Sequence, residues 1–104
     1  MDKYEFNIKV EQIKKLVNKS DYETAMKIAD TIDWRRVRNV NILSMVAGIY
    51  EKNGEFQEAK DILLLAFERA PIGKRLLYKL ADLALKEGNV EEAEDYYTTS
   101  SIPF

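Results

Sequence analysis

The side chains best suited to chemistry form one short basic segment, Trp34-Arg35-Arg36-Val37-Arg38. Its guanidinium groups could bind a phosphate or another anion, and its indole ring could stack on a nucleic acid base. Arg35, Arg36 and Arg38 are therefore a candidate anion site. A helix predicted to begin near Arg35, with Asp33 as its N-cap, would place these cations in its first turn, where the helix dipole disfavours them.

A structural interpretation of the same segment competes with the anion site. Trp34 could close a joint between two helical units, while the arginines pair with nearby carboxylates such as Asp30 and Asp33. The chain carries 16 Lys and Arg residues against 18 Asp and Glu residues, a net charge of −2. One basic turn in an acidic chain is a small electrostatic footprint for nucleic acid. The structural interpretation is therefore favoured, and nucleic acid is disfavoured as a partner.

An acidic run near the end of the chain resembles a paired-carboxylate or metal site at first inspection. Its members are Glu87, Glu91, Glu92, Glu94 and Asp95. Helical spacing puts Glu91 and Asp95 on one face, where two carboxylates can share a proton or a cation. Carboxylates early in a helix also complement the helix dipole. We favour a solvated helix start and expect no metal.

Composition disfavours catalysis and several kinds of site. The 104-residue chain has no cysteine and no histidine, so disulfides, thiolate nucleophiles and the side chain best suited to proton transfer near neutral pH are missing. We expect a protein that is not an enzyme and needs no cofactor. The first residues lack the apolar run of a signal peptide, and no segment approaches the roughly 20 apolar residues of a membrane span. We expect a cytoplasmic protein that does not insert into a membrane.

The elements that position these residues are predicted to be helices throughout. Asp2 and Glu5 form a capping box that starts a helix near Lys3, and Asp21 can cap a second helix. Four further helices are expected over residues 35–53, 55–69, 74–87 and 90–98. Pro71 should stop the fourth, whereas Gly54 and Gly88 should close helix ends in the left-handed conformation. No strand pattern competes.

The chain matches itself at a fixed offset of 34 residues, which indicates an internal repeat. Small residues fall on small ones and bulky apolar residues on bulky apolar ones. The aligned sets include Leu16, Tyr50 and Ala84; Ser20, Gly54 and Gly88; Tyr22, Phe56 and Val90; and Ala25, Ala59 and Ala93. The three alanines would allow paired helices to approach closely.

At these residues the chain resembles the tetratricopeptide repeat, a helix–turn–helix unit of about 34 residues. The middle unit matches at Leu43, Ala47, Tyr50, Gly54, Phe56, Ala59, Leu63, Ala66 and Pro71. The third matches at Leu77, Leu80, Ala81, Gly88, Val90, Ala93 and Tyr97. The first is degenerate, with Lys9 and Ser20 at signature positions. The resemblance implies an all-α superhelical solenoid of six helices in one domain, with about three repeats over residues 6–39, 40–73 and 74–104.

The resemblance also implies a function, because such arrays bind proteins or peptides in a groove lined by the first helix of each pair. The implied groove positions are Asn7, Val10, Lys14, Val17 and Asn18; Asn41, Ser44, Gly48, Glu51 and Lys52; and Arg75, Tyr78, Asp82, Leu85 and Lys86. We expect a protein- or peptide-binding scaffold. A self-associating module forming a homodimer is the alternative, followed by an anion- or nucleic-acid-responsive regulator acting through Arg35 to Arg38.

One known mode of the family grips a C-terminal carboxylate with a clamp of lysine, asparagine and arginine. Arg75 and Lys79 place cations at matching positions, in the reverse chemical order. Val10 stands where the clamp needs lysine, Lys14 where it needs asparagine, and Met45 where it needs asparagine. The pattern argues against that clamp and leaves a weaker acidic-peptide site of Lys14, Arg75 and Lys79.

The end of the array lacks the extra solvating helix that such repeats usually carry. The chain closes on Ser100-Ser101-Ile102-Pro103-Phe104. Three explanations stay open: the sequence is the front part of a longer array, a second copy covers the exposed flank, or Ile102 and Phe104 fold back as a lid.

Overall fold

The computed structural model describes residues 1–69 and 74–100, and this part of the chain is helical with no β-strand. Its elements are α1 (Lys3–Asn18), α2 (Tyr22–Ala29), a 3₁₀ turn (Trp34–Arg36), α3 (Val40–Lys52), α4 (Phe56–Arg69), α5 (Lys74–Lys86) and α6 (Val90–Ser100). Each helix packs against the next along the chain. The predicted all-α repeat architecture is confirmed.

Short polar side chains fix where the first helices begin. The Asp2 carboxylate accepts a hydrogen bond from the backbone N–H of Glu5 at 2.7 Å, and Asp21 accepts one from Thr24 at 3.2 Å. Each bond satisfies an N–H that has no partner within its own helix. Both predicted N-caps are therefore confirmed.

The turn inside each helix pair has the same geometry in all three pairs. Gly54 and Gly88 have φ of +77° and +79°, and Ser20, at the equivalent position, has φ of +59°. In each turn one backbone N–H donates a hydrogen bond to the carbonyl five residues earlier, which closes the end of the first helix. These bonds are Asp21 to Leu16 at 2.9 Å, Glu55 to Tyr50 at 2.9 Å and Asn89 to Ala84 at 2.8 Å. The 34-residue sequence offset is thus also a repeat of hydrogen bonds.

The third helix begins at Val40 rather than near Arg35, so the predicted start was wrong. Asn39 is its N-cap and accepts from the N–H of Ile42 at 3.1 Å, while Asp33 caps only the 3₁₀ turn. Val37 is extended and 9% exposed. The buried valine lies between the 3₁₀ turn and α3, each of which has its own N-cap, and its extended backbone prevents one continuous helix. The arginines therefore do not occupy the first turn of α3, and the dipole of that helix does not disfavour them at this position.

The core lies where the helices approach most closely. Ala25, Ala59 and Ala93 are 0%, 0% and 1% exposed, as their predicted role at close helix contacts requires. The largest fully buried side chains are Ile13, Leu43, Val46, Ile49 and Leu80. This core holds the helix faces that carry the candidate site residues.

Two sequence expectations fall outside the described residues: the helix stop at Pro71 and the fold-back of Ile102 and Phe104. The neighbouring bounds agree with expectation to within two residues, because α4 ends at Arg69 and α6 continues to Ser100. In the portion that is described, none of the helices is long and apolar enough to cross a bilayer.

Candidate partner-binding site

The first helix presents its polar groove candidates to solvent but covers its two apolar ones, partly or fully. Asn7, Lys14 and Asn18 are exposed, and Val17 is half-buried. Val10 is only 4% exposed. Its expected place on an accessible groove was therefore wrong, because the side chain is already covered by the protein itself.

On α3 the candidates are less accessible than on α1. Asn41 and Lys52 are exposed, whereas Ser44, Gly48 and Glu51 are half-buried. The Lys52 ammonium lies 5.8 Å from the centre of the Tyr22 ring, within cation–π range. This lysine consequently packs towards α2 as well as facing water.

The fifth helix carries the most accessible apolar side chains among the candidates. Tyr78 is 47% and Leu85 is 45% exposed, and both lie near Asp82 on one face because their spacing is four and three residues. The ring centres of Tyr78 and Tyr97 are 6.2 Å apart, and the Tyr97 hydroxyl donates to Asp82 at 3.2 Å. Arg75, Lys79 and Lys86 are also exposed on α5. We call Tyr78, Asp82, Leu85, Arg75 and Lys79 the α5 face.

One ion pair joins two of the helices that carry candidate residues. The Lys86 ammonium on α5 binds the Glu51 carboxylate on α3. It also lies 6.0 Å from the centre of the Phe56 ring. The charge of Lys86 is therefore partly used within the protein, and Arg75 and Lys79 are better placed to meet a partner.

The expected acidic-peptide set is not gathered by direct contacts. Lys14 pairs with Glu11 on its own helix at 3.4 Å. Over residues 1–69 and 74–100, no hydrogen bond or ion pair connects Lys14 with Arg75 or Lys79. A site using all three cations stays a prediction.

The residues of the basic segment make different kinds of contact, and its tryptophan is part of the core. Trp34 is 7% exposed, donates its indole N–H to the Ala29 carbonyl at 3.0 Å and meets the Phe6 ring edge-on at 6.3 Å. It therefore closes the joint between α1, α2 and the approach to α3, as the structural interpretation predicted.

Arg35 binds Asp33 through Nε at 3.0 Å and Nη2 at 3.3 Å, and this hydrogen bonding holds the pKa of Asp33 below its usual value. Asp30 accepts from Tyr50 and is not part of that pair.

A cleft lies between the start of α1 and the segment that leads into α3. Its volume is about 780 Å³, and its lining includes Phe6, Asn7, Arg36, Val37, Arg38 and Asn39. Arg36 and Arg38 are exposed here, unlike Trp34. We call this the N-terminal cleft. It brings Asn7, a groove candidate, together with two arginines of the candidate anion site.

Comparison with known families decides the class of this repeat. The tetratricopeptide repeat model matches residues 40–72 and 74–100, which together make more than half of the chain. The chain belongs to the tetratricopeptide repeat family. The matched residues hold the α3–α4 and α5–α6 pairs, whereas the pair with Lys9 and Ser20 at signature positions lies outside the match. Comparison with curated proteins gives no match.

Tetratricopeptide repeats generally mediate protein–protein interactions, and the fold is generally a non-catalytic scaffold. In such an array, the contacts between successive pairs determine how rigidly the binding surface is held. Here one of these contacts is made by a buried cation that was not predicted.

Lys60 on α4 ties the two matched repeats together. Its side chain is 5% exposed, and its ammonium lies 2.5 Å from Glu87 and 2.7 Å from Glu92. Burial lowers the pKa of Lys60, but hydrogen bonds to these carboxylates outweigh that effect and raise it. The Tyr96 hydroxyl donates to the other oxygen of Glu92 at 3.1 Å.

Most of the acidic run is exposed, as expected, but Glu87 follows α5 rather than starting a helix, and Glu87 and the half-buried Glu92 both bind Lys60. The 34-residue repeat contained a signal for the burial of Lys60. Its equivalent position in the first unit is Met26, a half-buried apolar residue. A buried lysine at such a position needs carboxylate partners for its charge. Across the described residues, no cluster of three or more acidic side chains is arranged to hold a metal ion.

Proposed function

We propose that this protein is a non-catalytic scaffold that binds a segment of a partner protein along the concave side of α3 and α5. The observation that carries the proposal is the α5 face, where Tyr78 and Leu85 leave nearly half of their surface in water. Burial of exposed apolar area is the main source of affinity in such contacts, and tyrosine is enriched among residues that dominate binding energy.

The chemistry of the α5 face indicates the partner's side chains. Arg75 and Lys79 flank the apolar residues and would favour carboxylates, whereas Asp82 already accepts from Tyr97. A segment with apolar side chains and acidic neighbours would cover both kinds of group. The family's carboxylate clamp is not proposed, because Val10 and Met45 replace polar clamp residues and Val10 is buried.

The remaining groove candidates would contribute as a polar rim. They are Asn7, Lys14, Asn18, Asn41, Ser44, Lys52 and Lys86. Rim residues exclude water and adjust specificity, but each adds little affinity. The Lys86–Glu51 pair would hold the rim between α3 and α5 in place. A cytoplasmic partner is part of the proposal, since a chain without cysteine is compatible with a reducing compartment.

The test is affinity capture from a lysate of the native organism, with the intact chain as bait and mass spectrometry as the readout. Tyr78→Ala, and separately Arg75→Glu with Lys79→Glu, should reduce recovery of the partner by about tenfold or more. Lys27→Glu changes an exposed lysine on α2 and should leave recovery unchanged. Equal recovery by all variants, with unchanged helicity, would remove the α5 face from the proposal.

A homodimer is the second candidate, because α1 also exposes apolar side chains. Tyr4 is 76% and Ile8 is 41% exposed, one helical turn apart. A second copy could cover these side chains and lengthen the array. Light scattering across a range of concentrations tests it directly, since a monomer at every concentration dismisses self-association.

A further inference from the structure

We propose that the N-terminal cleft is a second binding site, which takes an acidic peptide segment with an apolar side chain next to its carboxylates. Arg36 and Arg38 would bind the carboxylates, and the apolar side chain would rest on Phe6. The inference takes from the proposed function only that the protein binds partner proteins. It concerns a surface other than the α5 face.

The size and lining of the cleft suit a few residues of peptide. Its volume of about 780 Å³ falls within the roughly 300–1,000 Å³ typical of ligand pockets. The half-buried Phe6 contributes apolar surface, while the exposed Asn7 and Asn39 contribute amides that can bond to a peptide backbone. An apolar floor with a few polar groups at its edge is the usual composition of a binding pocket.

The carboxylates of the cleft are paired within the protein, whereas two of its guanidinium groups are not, so the cleft attracts an anion. The Asp33 carboxylate is held by Arg35, and the Asp2 carboxylate caps α1. Among the described residues, the guanidinium groups of Arg36 and Arg38 have no hydrogen-bond or ion-pair partner. The acidic groups are therefore committed and two guanidinium groups are available. A guanidinium is well suited to a carboxylate because it can donate two parallel hydrogen bonds.

The backbone holds these two arginines at one edge of the cleft. Val37 is extended, with φ of −87° and ψ of 130°, and its side chain is buried. Arg36 ends the 3₁₀ turn and Arg38 follows this valine. Both arginines are exposed and line the cleft. The Arg69 guanidinium further fixes the segment by donating to the Arg35 carbonyl at 3.0 Å.

A peptide fits these observations better than nucleic acid does. Base recognition on a single strand depends on accessible aromatic faces, but Trp34 is 7% exposed and Phe6 is half-buried. Two available cations would also neutralise few phosphates. A free phosphate would satisfy the arginines but leave the apolar floor uncovered, so phosphate is an outcome that the test must separate.

The test is a titration of the intact ¹⁵N-labelled chain, followed by amide chemical shifts. The probe is the peptide acetyl-Asp-Leu-Glu-Leu-Asp-amide. Its matched control is acetyl-Asn-Leu-Gln-Leu-Asn-amide, and inorganic phosphate is the third ligand. The acidic peptide should shift the amide signals of Asn7, Val37 and Asn39 in a saturable way, at least about tenfold more tightly than the neutral peptide or phosphate does.

Arg36→Gln with Arg38→Gln should weaken binding of the acidic peptide by about tenfold or more, whereas Lys27→Gln, at an exposed site on α2 outside the cleft, should change it less than twofold. Because all three side chains are exposed, the variants should keep the wild-type amide spectrum, which the experiment itself verifies. If the double variant loses the fold, Arg36→Lys with Arg38→Lys replaces it and should weaken binding through loss of the paired hydrogen bonds. Equal binding of the neutral peptide, equal binding of phosphate, or no shift in the cleft would overturn the proposal. Shifts confined to the α5 face would overturn it too, while supporting the proposed function.

Discussion

The Tyr50 hydroxyl donates a 2.6 Å hydrogen bond to the Asp30 carboxylate. Tyr50 is on α3 and is 5% exposed, and Asp30 caps the end of α2. The bond therefore joins the first helix pair, which lies outside the family match, to the first matched repeat. Burial and the neighbouring Asp30 raise the pKa of Tyr50 well above its usual value of about 10.

We predict that Tyr50→Phe lowers the free energy of unfolding by about 1–2 kcal/mol, because a hydrogen bond to a charged group is lost while the ring is kept. Urea unfolding followed by circular dichroism measures the change. Tyr4→Phe is the matched control and should have no effect, since Tyr4 is 76% exposed. An unchanged midpoint for Tyr50→Phe would show that the bond adds no net stability.

The raised pKa of Tyr50 also predicts how stability depends on pH. Its contribution is fully present below the pKa of about 10 that tyrosine has in the unfolded chain, and it is lost as pH rises towards the pKa of the folded state. Unfolding measured from pH 9 to pH 11.5 should show stability falling above about 10. The fall should be shallower in Tyr50→Phe; a fall of equal slope in both proteins would assign it to other groups.

Replacing Lys60 tests the joint between the two matched repeats. Lys60→Met keeps most of the side-chain volume but leaves Glu87 and Glu92 without their cation, so we expect a loss of about 1–3 kcal/mol in unfolding free energy. Amide hydrogen exchange should accelerate most in α5 and α6. Lys27→Met, at an exposed site on α2, should change neither quantity. Equal exchange in the two variants would contradict the proposed coupling.

Two glycines should respond to alanine with opposite signs. Gly88 has φ of +79°, so Gly88→Ala should cost about 1–2 kcal/mol from backbone strain, with no clash because nothing lies within 4 Å of an added Cβ. Gly48 lies inside α3 and has the same open surroundings. Gly48→Ala should therefore stabilise the protein by up to about 1 kcal/mol. Thermal unfolding of the pair checks both, and two changes of the same sign would contradict the explanation.

Most of the fold could be predicted because its signals are local. Asp2, Asp21, Gly54 and Gly88 act on residues within a few positions, and their effects depend little on the rest of the chain. The spacing of Ala59 within the repeat is likewise visible in the sequence. These features were sufficient to indicate six helices in about three units.

The misses depend on contacts between distant residues. The start of α3 was set by burial of Trp34 and Val37, which outweighed a continuous helical pattern across residues 35–39. The role of Lys60 depends on Glu92, 32 positions away. Burial of Val10 depends on tertiary packing in the same way. No local pattern reports such contacts, and the groove residues stay predictions for the same reason.

The central claim is that a partner lies against the α5 face, and site-specific photo-crosslinking in cells tests it most directly. A photo-reactive amino acid replaces Tyr78 in one variant and Gln57, exposed on α4, in the other. We predict that position 78 crosslinks to a distinct partner protein and that position 57 does not. Crosslinks from position 57 alone, or only to a second copy of this chain from position 78, would contradict the claim.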